Sequence, residues 1–159
     1  MSENSEKHLK VSAIRNGTVL DHIPSSQLFK VIDILKLDKS EHAMTFGVNL
    51  DSKTLGKKAI IKIADRFFKD EEISRIALIA PKVSINIIEN FEVVDKRHVS
   101  VPSKICGIAK CVNPMCVTNS ENIQTKFTPI INGDYIDLLC DYCEKVTESF
   151  RLKIITGMQ

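Results

Sequence analysis

Apolar and polar residues alternate with a period of two, or recur at helical spacing, over most of the first hundred positions. Leu9 to Leu20 carries Val11, Ala13 and Val19 among polar neighbours, which predicts a strand with Asn16-Gly17 as a bend or bulge signal. Pro24 closes it. Ser25 or Ser26 is then placed to cap a helix in which Leu28, Val31, Ile32 and Leu35 follow the i, i+3, i+4, i+7 spacing of one buried face, ending near Leu37 to Ser40. Ala43 to Leu50 and Lys58 to Ile63 read as the two strands of a hairpin around the polar turn Asp51 to Gly56. Within the second of these, Ala59, Ile61 and Ile63 share one face while Lys58, Ile60 and Lys62 share the other. A second helix is expected from Asp70, as N-cap, with Ile73, Ile76, Ala77 and Ala80 on its apolar side and Pro81 as its stop. Glu71 and Glu72 suit the positive end of its dipole. Val83 to Ile88 and Phe91 to Val94 complete this part as strands about Glu89-Asn90.

The order β, α, β, β, α, β with one short extra strand predicts an α+β chain whose first domain is ferredoxin-like. Both helices would cover one face of an antiparallel sheet and leave the other for a ligand or a partner sheet. Arg97 to Lys104 has no apolar period and carries His98, Ser100, Pro102 and Ser103, so the domain boundary is expected there, giving residues 1–100 and 101–159. Past it, Ile123 to Ile131 and Tyr135 to Leu139 flank Asn132-Gly133, a strong hairpin signal, and Lys145 to Ile155 reads as a further strand. This second, mostly-β domain buries too little core to stand without a staple.

Composition narrows the function classes. With 43% hydrophobic and 26% charged residues among 159, the chain is an ordinary folding one. Its apolar runs fall far short of the roughly 20 residues of a membrane helix, and its first residues lack the pattern of a signal peptide, so no membrane and a cytoplasmic location are expected. A net charge of +2 and the absence of tryptophan disfavour a dense nucleic-acid-binding face. A zinc-ribbon nucleic-acid-binding protein is the alternative reading, and it would need exposed aromatics on a basic sheet; Phe46 and Phe91 are the only aromatics expected in the strands of the first sheet.

All five cysteines fall in the last third. Cys111 and Cys116 form a C-x4-C, and Cys140 and Cys143 a C-x2-C at the end of a strand. Two such pairs on two tight turns bring four thiolates into the tetrahedron that Zn²⁺ prefers, and a four-cysteine set leaves no open position, so the metal would be structural, one per chain. Disulfides and reduced core cysteines are the competing readings; the first is disfavoured by a reducing compartment and the second by the close pairing. Cys106 to Cys111 has the same spacing, but Asn113-Pro114 turns the chain between Cys111 and Cys116, which favours that pair and leaves Cys106 as a buried or idle thiol. Lys58 and Lys62, with Lys96 on the last strand, form a candidate anion site; a solvated lysine face is the bland reading. Asp21-His22 could meet a sugar or a base, or simply form a turn. No phosphate loop, HExxH, GxSxG or cysteine-nucleophile signature occurs, which argues against an active site in this chain.

Taken together, Val11-x-Ala13-Ile14-x-x-Gly17-Thr18-Val19-x-Asp21-His22-Ile23-Pro24, Gly47-x-Asn49-Leu50, Gly56-x-Lys58-x-x-Ile61-Lys62-Ile63, Ala80-Pro81, Asn86-x-Ile88-x-Asn90-x-Glu92-Val93-Val94-x-Lys96 and the four spaced cysteines closely resemble the regulatory chain of aspartate carbamoyltransferase. The resemblance implies a non-catalytic subunit of an enzyme of pyrimidine synthesis. Its N-terminal domain would bind ATP and CTP, with UTP a third candidate, and would pair with a twin through the sheet. Its zinc domain would hold a catalytic chain. Matched positions imply polar effector contacts from Asp21, Lys58, Lys62, Asn86 and Lys96, with Val11, Ala13, Ile14, Val19, His22, Ile60, Ile88 and Val93 around base and ribose. Asn113, Glu144 and Lys145 are implied as contacts to the catalytic chain. Departures from the family pattern are His8, where a lysine is frequent, and Met115, Ile130 and Asn132 in the zinc domain.

Overall fold

The computed structural model describes residues 13–155; Val11, His8 and the first part of the expected opening strand lie outside the described residues. The chain is a mixed α/β protein of many strands and few helices. Its larger sheet contains β1 (Gly17–Pro24), β2 (Met44–Ser52), β3 (Gly56–Ala64), β4 (Ser84–Glu89) and β5 (Glu92–His98), in the order β2-β3-β1-β4-β5, with every neighbouring pair antiparallel. Two helices, α1 (Leu28–Ile34) and α2 (Asp70–Ile79), connect these strands.

Alternation along β3 divides the sheet into two faces. Ala59, Ile61 and Ile63 are fully buried and pack with Leu20 and Ile85, Leu28 and Val31 of α1, and Ile76 and Leu78 of α2. Lys58, Ile60 and Lys62, turned the other way, are only half-buried. Two irregularities shape that second face. Between Leu20 and Ile23 of β1 the pairing with β3 shifts, and His22 takes a φ of +60° there; between Gly47 and Leu50 of β2 it shifts again, with Asn49 at +59°. Both bulges lie across from Lys58 to Ile60 and deepen the local twist.

Local chemistry departs from expectation at several points. β1 begins at Gly17 and runs through the Asp21-His22 bulge to Pro24, so the strand lies later than the apolar alternation suggests. Neither Ser25 nor Ser26 caps α1; Ser25 Oγ instead accepts the backbone N–H of Asn49, and a 3₁₀ turn over Ser25–Gln27 leads into the helix. Asp70 is the first residue of α2 rather than its cap, and Glu72 Oε2 satisfies the N–H of Lys69 at 2.9 Å. β5 extends to His98, into the segment expected as linker.

Beyond residue 100 come β6 (Ile105–Cys106), β7 (Ala109–Lys110), the short helix α3 (Val117–Ser120), β8 (Lys126–Asn132), β9 (Tyr135–Cys140), β10 (Val146–Thr147) and β11 (Lys153–Ile154). A four-stranded sheet runs β10-β9-β8-β6, and β7 pairs separately with β11. The single strand expected over Lys145 to Ile155 is therefore broken into two pieces by a 3₁₀ turn at Ser149–Arg151, whose first N–H is taken by Asp137 Oδ1 at 2.9 Å. Asn132-Gly133 does make the β8–β9 hairpin, with Gly133 at a φ of +63°. Ile105, Phe127, Ile136, Leu138 and Leu152 are buried in a cluster continuous with the core of the larger sheet. An ion pair of Lys82 Nζ with Asp134 Oδ1, at 2.5 Å, also ties the loop after α2 to the hairpin.

Gly17 is the position where side-chain-free backbone matters most. Its φ is +141°, and a Cβ there would lie 2.0 Å from the carbonyl oxygen of Ile63. Gly17→Ala should therefore destabilise the fold by about 2 kcal/mol or more, whereas Gly56→Ala, at a φ of +75° in open space, should cost about 1 kcal/mol. Denaturant unfolding of the two variants checks the ranking; equal costs would mean that β1 is not pinned against β3 at Gly17.

Candidate functional site

Four cysteine sulfurs converge between the two turns. The Sγ atoms of Cys111, Cys116, Cys140 and Cys143 all lie within 4.8 Å of one another. Cys111 is 3.6 Å from Cys143 and Cys116 is 3.8 Å from Cys140. A disulfide needs about 2.05 Å. A tetrahedron of sulfurs about 2.3 Å from a central ion has edges near 3.8 Å, so the donor set and its spacing fit a structural metal. Cys106 lies outside this group and is exposed on the short β6 strand, not buried as one of its two expected readings had it.

The surroundings of the sulfurs follow from tight backbone turns. Burial pushes the Cys111 thiol up to about 12, against the pull of the Asn113 N–H. Burial also raises Cys140, and the N–H groups of Cys143 and Tyr142 counter it only in part. For Cys143 burial acts the same way, but the Lys145 N–H, the Asn113 side chain and the neighbouring thiols bring it down to about 7. A set with such divided preferences does not hold four thiolates by itself; a dication supplies the charge that would let all four ionise together.

Several supports escaped the sequence. Asn119 Nδ2 donates to the carbonyls of Cys111 at 3.0 Å and Asn113 at 2.7 Å, clamping the first turn from α3. The Thr118 hydroxyl is 3.2 Å from Cys116 Sγ, and buried Thr147 Oγ1 accepts the N–H of Val112. Lys104 donates to Thr128 Oγ1 at 2.6 Å and to Asp141 Oδ2 at 2.7 Å, beside Cys140; with Thr128 it holds the Asp141 carboxyl below the usual carboxylate range. Amide and hydroxyl side chains in such roles leave no periodic trace in a sequence. Asn113 sits against the cysteine cluster, while Glu144, at a φ of +60°, and Lys145 stand exposed on the turn after Cys143.

On the larger sheet, cross-strand registry forms a transverse row on the face away from the helices. Lys62 of β3 opposes Val19 of β1, Val19 opposes Asn86 of β4, and Asn86 opposes Lys96 of β5. Ile60 and Asp21 share this face by alternation. Asp21 Oδ1 accepts from Lys58 Nζ at 2.9 Å and from the His22 N–H at 2.6 Å, so two of the expected polar contacts are paired with each other. His22 Nδ1 is buried 3.7 Å from the same oxygen, too far for a hydrogen bond. At one end of the face, a cleft of about 530 Å³ is lined by Ala13, Ile14, Thr45, Lys62 and Asp65 among others. Asp21, Lys58, Asn86 and Lys96 do not line it. Ile88 is buried opposite Val93, which is 58% exposed across a bulge at the outer edge. Phe91 occupies the β4–β5 turn, not a strand. No helix among the described residues is long and apolar enough to cross a membrane.

Comparison with known proteins bears on both places. Residues 9–100 match the family model of the aspartate carbamoyltransferase regulatory chain, allosteric domain, and residues 103–153 match that of its metal binding domain. The chain is 50% identical over 155 residues to the aspartate carbamoyltransferase regulatory chain of Bacteroides thetaiotaomicron, covering 98% of this chain and all of that one. It is 47% identical over 150 residues to that of Porphyromonas gingivalis, covering 94% and 99%, and 47% identical over 142 residues to that of Pyrococcus abyssi, covering 88% and 93%.

Replacing Cys140 by Ser removes one of the four donors at the end of β9. Because binding energy at such a centre is folding energy, on the order of 10 kcal/mol, Cys140→Ser should lose the metal and the amide-exchange protection of β8 and β9 while β1, β3 and β4 stay protected. Cys106→Ser should keep both. Metal content and exchange are the measurements, and metal retained in the first variant but lost in the second would reverse the assignment of donors.

Proposed function

The chain belongs to the family of aspartate carbamoyltransferase regulatory chains, and from that premise we propose that it senses nucleotides for the catalytic chain of that enzyme. Residues 1–100 form the allosteric domain, a ferredoxin-like βαββαβ unit, and residues 101–159 form a zinc-ribbon-like domain that grips the catalytic chain. ATP and CTP, with UTP as a third effector, share one site on the helix-free face of the larger sheet. The chain itself performs no carbamoyl transfer, acts in the cytoplasm, and pairs with a second copy through its N-terminal domain.

The observation that carries the nucleotide reading is the transverse row Lys62, Val19, Asn86 and Lys96, on a sheet face that also carries Lys58 and Asp21. Lysines flanking an apolar floor suit a ligand with an anionic tail and a flat ring. Asp21, held by Lys58, would accept from a sugar hydroxyl or a ring amine, and binding would then compete with the existing ion pair. Val11, Ala13, Ile14, Val19, His22, Ile60, Ile88 and Val93 would surround base and ribose, with the cleft beside Ala13 and Ile14 as the entry for the ring. Opposite effects of two nucleotides then require that each bind two states of the assembly unequally.

In the second domain Cys111, Cys116, Cys140 and Cys143 would hold Zn²⁺. The ion supplies a crosslink and no chemistry, since four thiolates leave no position for water or substrate. Asn113, Glu144 and Lys145, all on or beside the ligand turns, would be presented by it to the catalytic chain.

Lys62→Ala should weaken ATP and CTP alike by about tenfold, because it removes a cation from the part of the ligand that the two share. Calorimetric titration of each nucleotide, alone and in the presence of the other, is the check. Independent, simultaneous binding of both would refute the shared site. In the reconstituted holoenzyme, a thiol-capturing mercurial should release active catalytic oligomers that no longer respond to CTP; loss of activity with the metal would instead place part of the active site in this chain.

A further inference from the structure

Half of the six Lys and Arg residues beyond residue 100 gather around one cavity on the side of the second domain where β7 meets β11. Lys110 on β7 and Lys153 on β11 are directly opposed in the antiparallel register, and Arg151 comes from the 3₁₀ turn that precedes β11. The cavity has a volume of about 570 Å³; Val112, Pro114 and Asn119 complete its wall, with the metal-ligating Cys111 between them. Among the described residues no carboxylate lines it.

Two like charges directly across a strand pair repel each other, and natural sheets avoid them unless something offsets the cost. Six cations of this chain stand in ion pairs, Lys57 with Asp51, Lys58 with Asp21, Arg66 with Glu72, Lys82 with Asp134, Arg97 with Asp95 and Lys104 with Asp141, whereas the pocket gathers three that do not. Among the described residues, Lys110, Arg151 and Lys153 form no ion pair, and Asp33, which lines an adjoining cleft with Lys153, is not paired with it either. Four thiolates around a dication would carry net negative charge, and Cys111 brings one of them to the pocket wall, but that cysteine is buried whereas all three cations are exposed to a partner. Next to the lining Pro114, Met115 is 87% exposed. An exposed Met and an Arg beside unpaired lysines have the make-up of a protein-contact surface with an anionic counterpart.

We propose that this pocket receives an acidic segment of the catalytic chain, one whose Asp or Glu side chains enter between Lys110, Lys153 and Arg151. The proposal rests on the regulatory-chain reading above and adds to it the charge of the docking partner and the residues that receive it. Docking would offset the Lys110–Lys153 repulsion that the free chain endures. The pocket shares a wall with the Cys111 turn, so contact made there bears directly on the metal-bound loop.

Lys153→Glu separates the roles open to these cations. In the free, metal-loaded chain it turns the opposed lysine pair into an opposed ion pair, so thermal stability should hold or rise. In the titration of this chain with the isolated catalytic chain, the same change should weaken binding about tenfold and flatten its dependence on salt, while Lys153→Gln should fall between. Wild-type affinity for the catalytic chain in Lys153→Glu overturns the pocket alone. Failure of the unaltered chain to bind the catalytic chain at any salt overturns the regulatory reading together with it. Lowered stability and metal loss in Lys153→Glu would show that the cations balance the thiolate centre. Inorganic phosphate or ATP binding that Lys153→Glu abolishes, with docking unchanged, would show that the pocket takes a free anion. Either result also overturns the docking proposal.

Discussion

The register of β3 between β1 and β2 is the constraint on which the larger sheet depends. Its residues alternate strictly, so a slip of one position would turn Ala59, Ile61 and Ile63 out of the core and drive Lys58 and Lys62 into it. Burying two ammonium groups in that apolar layer would cost far more than any strand pairing contributes. The register is pinned at the end by the close approach of Gly17 to Ile63, and adjusted in the middle by two bulges that face the same stretch of β3. The bulge in β1 turns Asp21 toward Lys58. One strand thus sets both what the helices cover and what the opposite face offers.

In the second part of the chain the corresponding constraint is not register but convergence. Its strands are short, and several have only two residues. What the structure brings together there is a pair of turns: the one after β7 that carries Cys111 and Cys116, and the one after β9, with Cys140 at the strand's end and Cys143 within the turn. Asn119 and Thr147 fasten the first turn by hydrogen bonds to its backbone, and Lys104 fastens the second through Asp141. With so few ladder bonds, a metal crosslink has a large share of the organising work, as expected for a region that buries little apolar surface of its own.

Strong, local patterns were legible in the sequence: the two-faced β3, the apolar side of α2, the Asn132-Gly133 hairpin and the cysteine spacing. Each is a pattern in which one physical demand, burial, a positive φ or metal geometry, selects residue types at fixed offsets. The misses come from competition for hydrogen bonds. Ser25 is a good cap by type, but the bulge in β2 leaves the Asn49 N–H needing a partner, and Ser25 supplies it. Lys145 to Ile155 is a reasonable strand by composition, but Asp137 takes the N–H of Ser149 and turns the chain. The Lys110–Lys153 juxtaposition was equally invisible, because residues 43 positions apart reveal their pairing only once β7 and β11 are aligned. Even the row across the larger sheet required the bulge between Ile87 and Ile88 to bring Lys96 opposite Asn86.

A regulatory chain needs physical continuity between the place where a small molecule binds and the place where a partner is held. Here the helix-free face and the helix-covered face belong to one sheet, α2 packs on the latter, and the core that includes α2 runs on into Ile136 and Leu138 of β9. β9 ends in Cys140. Packed cores are stiff, so a ligand that changes the twist of β1 and β4 alters the seat of α2, and with it the strand that carries a metal donor. Continuity alone transmits nothing unless the assembly has two arrangements that the ligand distinguishes. The Lys82–Asp134 pair spans the same junction outside the core, so two such arrangements would differ in how it is made. The shared core would then carry the displacement, and the surface contacts at the junction would set which arrangement is favoured.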